Sequence, residues 1–116
     1  MSKSKGNVVI PAEPIDTHGA DAVRYWAASA RLGTDAAFDE GQMKIGRRLA
    51  IKLLNAAKFA LSFDVPDGHS KVTEPLDQAM LIALADVVKV ATNAFDEYDH
   101  TKALEAAERF FWMFTD

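Results

Sequence analysis

The segment GQMKIGRRLAIKLLNAAKFALSF, residues 41–63, limits the fold of the chain more than any other. Its apolar and small residues Ile45, Gly46, Leu49, Ala50, Leu53, Leu54, Ala57 and Leu61 recur at three- and four-residue intervals, the spacing of one face of an amphipathic helix. At ~100° per residue, Lys44, Arg47, Arg48, Lys52, Asn55 and Lys58 fall on the opposite side. That polar face holds five cations, one amide and no acid. A long helix divided in this way has to bury its apolar side against other elements.

On the N-terminal side, MSKSKGNVVIP and AEPIDTHGADAVRYWAASARLG read as a loop and then a helix. Pro11 and Pro14 predict extended backbone, since proline disfavours the helical region for the residue before it. Asp16 or Thr17 is placed to cap the helix, and Asp21 sits in its first turn, where the macrodipole favours an acid. Ala20, Val23, Ala27 and Ala30 share a face flanked by Tyr25 and Trp26, and Gly33 is the stop. On the C-terminal side SFDVPDGHSKVTEP is a turn-rich surface loop. A helix follows Thr73 and Pro75, with Leu81, Leu84, Val88, Ala91, Phe95 and Tyr98 as its seam. Asp99 or Thr101 caps the last helix, whose inner face is Ala103, Leu104, Ala107, Phe110, Phe111 and Phe114. Only NVVI reads as a short edge strand. The expectation is an all-α fold, an up-and-down bundle of three long helices plus the earlier one.

With 116 residues, 49% of them hydrophobic, the chain is one domain or a piece of a larger one, with material for a core. It has no cysteine, which excludes disulfides and thiolate metal sites. No apolar run approaches the roughly 20 residues of a membrane helix, and no secretory signal opens the chain. A cytoplasmic protein without a membrane partner is expected. The net charge of −4 hides a division: residues 1–62 carry nine Lys/Arg against six Asp/Glu, +3, and residues 63–116 carry four against eleven, −7. Such asymmetry points to a polyanion for the first half. On charge alone, solvated helix faces that happen to differ in sign are the simpler explanation.

Catalytic groups are sparse. His18, His69 and His100 stand apart beside turn residues without ligand-spaced partners, so no metal site is expected. Neither a glycine-rich phosphate loop nor a nucleophile motif is present. Asp39–Glu40 and Asp96–Glu97 splay apart as neighbours and read as solvated, while Phe110, Phe111 and Phe114 read as core. Two features remain. Lys44, Arg48 and Lys52 repeat at four-residue spacing, each repelling the next by roughly a few tenths of a kcal/mol. Cations about 6 Å apart along a helix suit a phosphate backbone, where each contact releases counterions. Asn55 on the same face can hydrogen-bond a base or sugar. A solvated face partly neutralised by the acidic later helices fits the same residues. The second feature is the opening loop, where Lys3 is placed to donate to pyrophosphate oxygens while serines and backbone amides add neutral donors.

MSKSKGNVV, followed by a proline and then HGADAVRYWAASARLGTDAAFDEG, resembles the class I aminoacyl-tRNA synthetases of the branched-chain group. Their Lys-Met-Ser-Lys-Ser loop runs into Lys-Gly-Asn and a helix beginning near Gly-Ala-Asp-Ala. Met1, Ser2, Lys3 and Ser4 represent the motif here, without its leading lysine, and Ile10 stands where the family commonly has aspartate. RYWAASARLGTD, RRLAIKLLNAAKF and LEAAERFFWMFTD are most similar to the valine-specific enzymes of the group. Leucyl and isoleucyl relatives match the later two stretches less well. The resemblance covers essentially the whole chain in order.

The resemblance implies an internal fragment. Residues 1–40 would be the KMSKS loop and connector ending the catalytic core, and residues 41–116 a helical anticodon-binding domain. FFWMFTD stops in mid-pattern at Asp116, with Trp112 off the apolar face and without a neighbour, as truncation would leave it. The resemblance also implies that Met1, Ser2, Lys3 and Ser4 contact ATP, with Mg2+ in the parent enzyme, and that Lys3 stabilises the transferring phosphate. Valine tRNA and the remainder of the synthetase chain would be partners, with Lys44, Arg47, Arg48, Lys52, Asn55 and Lys58 as the tRNA surface. The nucleotide-binding sheet, the His-Ile-Gly-His motif, the valine pocket and the editing domain are not in this sequence, so the isolated chain is expected to be inactive. The competing reading is a free-standing helical interaction module with no nucleic-acid role, which predicts a capped C-terminus.

Overall fold

The computed structural model describes residues 9–64 and 71–116. Met1, Ser2, Lys3, Ser4, His69 and the first half of NVVI lie outside the described residues. Among the described residues there are five helices and no strand, which is the all-α class expected. They fall into two compact units, residues 1–58 and 59–116.

In the first unit, α1 (Ala12–His18) and α2 (Ala20–Ser29) are separated only by Gly19, and α3 (Glu40–Ala60) follows. α1 stands where extended backbone was expected. Pro14 is the third residue of that helix, a position whose N–H would have no intrahelical acceptor, so the ring removes nothing. Its side chain is buried, and the Ile15 N–H donates to the Pro11 carbonyl at 3.0 Å to close the first turn. Neither Asp16 nor Thr17 caps α2; the Thr17 hydroxyl donates to the Glu13 carbonyl at 2.9 Å instead. Gly19 makes the break, at φ 91° and ψ 156°, a conformation that only glycine takes at low cost. α2 ends at Ser29 rather than at Gly33. The connection to α3 is held by Trp26, whose Nε1 donates to the Ala37 carbonyl at 3.1 Å and whose ring lies 6.2 Å from that of Phe38. Pro14, Ala22, Met43, Gly46 and Leu49 are buried and form the core of this unit.

The second unit is a helical hairpin of α4 (Pro75–Asp96) and α5 (His100–Thr115). At the turn, the Tyr98 N–H donates to the Phe95 carbonyl at 3.0 Å and the Asp99 N–H to the Ala94 carbonyl at 2.7 Å, the paired bonds of a Schellman ending. Tyr98 takes the left-handed position usually given to glycine, at φ 60°. Asp99 then caps α5 as expected, its carboxylate accepting from the Lys102 N–H at 3.1 Å.

The seam of α4 differs from expectation. Leu81, Leu84, Val88, Phe95 and Tyr98 are exposed, whereas Ala94 is buried and Met80, Ala83, Val87 and Ala91 are half-buried. α4 is apolar around much of its circumference, so two overlapping seams about 70° apart fit its sequence. The alanine-rich one is used because Ala94 and Ala103, at 0% and 2% exposure, let the two backbones come close. On α5, Thr101 joins Ala103 in the core, while Ala107 and Phe114 of the expected inner face are exposed. Trp112 has a neighbour after all: its Nε1 donates to Glu108 at 3.1 Å. α4 also corrects the reading of the apolar runs, since its 22 residues are long and apolar enough to cross a membrane by length and composition. Asp77, Asp86, Lys89 and Asp96 punctuate it.

Left-handed backbone costs a residue with a Cβ roughly 1–2 kcal/mol, and the Tyr98 side chain is 83% exposed, so little packing depends on it. Tyr98→Gly is expected to stabilise the protein by about 0.5–1 kcal/mol after the added freedom of the unfolded chain is subtracted. A higher midpoint in urea unfolding is the readout.

Candidate nucleic-acid interface

α3 carries the basic stripe, and three contacts place it within the first unit. At its start the Asp39 carboxylate accepts from the N–H groups of Gly41 at 2.7 Å and Gln42 at 3.2 Å, which caps the helix. Two turns on, Gly46 lies against Tyr25 of α2. A Cβ added there would stand 2.5 Å from the Tyr25 Cβ, far inside the ~3.5–4.0 Å at which carbon atoms pack. Beside it, Arg47 Nη1 donates to the Thr17 carbonyl at 3.2 Å, joining α3 to the last turn of α1.

The buried edge of α3 is consequently Met43, Gly46 and Leu49. Leu53 and Leu54, expected to continue that face, are 47% and 55% exposed, and Leu61 lies just past the helix end at 85%. On the other side Lys44, Arg47, Arg48, Asn55 and Lys58 are exposed and Lys52 is half-buried. Helix geometry sets Lys44, Arg48, Lys52 and Asn55 along one line and puts Arg47 and Lys58 at its edge, nearer the buried side. Arg48 and Lys52 also have interactions within the chain. Ile51, 49% exposed, lies among these cations. Exposed cations along such a row can meet a charged phosphate backbone.

An open cleft of about 240 Å³ beside α1 is lined by Glu13, Thr17, His18 and Glu40 among others. No group of three or more His, Cys, Asp or Glu among the described residues is placed to hold a metal ion.

Comparison with known proteins decides the relationship. The family described as tRNA synthetases class I (I, L, M and V) matches residues 1–39. Over its whole length the chain is 65% identical to the valine–tRNA ligase of Thermobifida fusca, 64% to that of Leifsonia xyli subsp. xyli and 54% to that of Cutibacterium acnes. Over its whole length the chain is similar to one segment of the valine–tRNA ligases. It spans 14% of the length of the first two of these relatives and 13% of the third. No solved structure matches it.

The structure adds residues to the stripe's support that composition and periodicity did not single out. Asp39 had a signal, since it stands three residues before Gln42 in the spacing of a capping box. Gly46, alone in the middle of a strong helical pattern, marked a close approach by another backbone or ring. Thr17 had none, because its carbonyl rather than its side chain takes part. Gly46→Ala gains about 1 kcal/mol of helix propensity but overpacks the Tyr25 contact by about 1–3 kcal/mol. A net loss of about 1 kcal/mol is expected, with a greater loss for the bulkier Gly46→Val; a lowered unfolding midpoint measures both.

Proposed function

We propose that the protein acts within an enzyme that joins valine to its tRNA using ATP, and that this segment supplies an ATP-contacting opening and a tRNA-binding helix. The observation that carries the reading is 54–65% identity to valine–tRNA ligases across the entire chain. In this reading Met1, Ser2, Lys3 and Ser4 contact ATP, which arrives with Mg2+, and Lys3 donates to phosphate oxygens as charge develops on them. Residues 1–40 complete the catalytic core and residues 41–116 belong to the anticodon-binding domain. The family match ending at residue 39 supports that boundary. It is a boundary of role rather than of packing, since most of α3 belongs to the first compact unit.

Lys44, Arg48, Lys52 and Lys58 then meet tRNA phosphates, and Asn55 meets a base or sugar. Arg47 is committed to Thr17 and is left out of the phosphate-facing set. The exposed apolar faces of α4 suit further helices of the synthetase chain, and the work of the enzyme places it in the cytoplasm without a membrane partner. A free-standing interaction module would not account for whole-chain identity to ligases about seven times as long.

The stripe is tested in full-length Thermobifida fusca valine–tRNA ligase carrying this segment in place of its own. Arg48→Ala and Lys52→Ala should each weaken tRNA binding and reduce the slope of log affinity on log salt by about one. A salt response that neither substitution alters would exclude the stripe from the tRNA interface. The isolated 116-residue chain should show no ATP–pyrophosphate exchange, because one clamp lysine cannot position two substrates. Exchange above background would contradict that.

A further inference from the structure

We draw no further inference here: the strongest candidate, the exposed edge-to-face pair of Phe59 and Phe63 at and just past the end of α3, starts one turn beyond Asn55 on the same helix and belongs to the site already described.

Discussion

The close approach of Tyr25 to the bare backbone of Gly46 governs the rest of the first unit. A side chain at position 46 would hold α2 and α3 apart. Without one, α3 comes close enough for Met43 and Leu49, three residues to either side, to be buried at 1% and 8% exposure. Once the buried edge is 43, 46 and 49, the orientation of everything else on the helix is determined. Lys44, Arg48 and Asn55 are exposed on the other side, Lys52 is half-buried, and Arg47, at the boundary, comes within reach of α1.

The second unit reaches the same end by a milder route. Ala94 and Ala103 keep their methyl groups and still allow α4 and α5 to approach closely near the turn. The Schellman bonds and the Asp99 cap satisfy backbone groups that the abrupt reversal would otherwise leave unpaired. α3 has comparable help at its ends. Asp39 caps it, Glu40 sits in its first turn and Lys58 in its last, each with the sign the macrodipole favours. These terms oppose the mutual repulsion of Lys44, Arg48 and Lys52, which by itself works against the helix.

The sequence made the helix types readable and left their faces ambiguous. On α3 the expected apolar face keeps Gly46 and Leu49 in the core, Met43 joins them from outside that expectation, and Leu53 and Leu54 do not. α4 has two overlapping seams, and hydrophobicity favours the larger side chains Leu81, Leu84 and Val88, while the packing uses the alanines. Periodicity ranks residues by transfer energy, whereas helix pairs also select for how near the backbones can come. α1 was missed for a related reason. The rule that proline disfavours a preceding helical residue is an average over helix positions, and Pro14 stands in the first turn, where the lost N–H has no acceptor to lose. Of the proposed site, the cations on α3 were visible as a pattern. The motif residues Met1, Ser2, Lys3 and Ser4 were visible only through resemblance to a family.

Arg47 and Arg48 show why a charge pattern alone does not give a cation's surroundings. They are adjacent and of one type, and ~100° of helix rotation lies between them. Charge counting pairs cations with carboxylates, and the partner of Arg47 is a backbone carbonyl that no residue name reveals. That choice of partner has an electrostatic consequence. A carboxylate would cancel the charge of Arg47, but a carbonyl only orients it. The side chain remains exposed, so its full positive charge still adds to the potential near the row, within the roughly 8–10 Å that salt leaves unscreened. Arg47 is thus bonded to the end of α1 and still adds its charge to the field around α3.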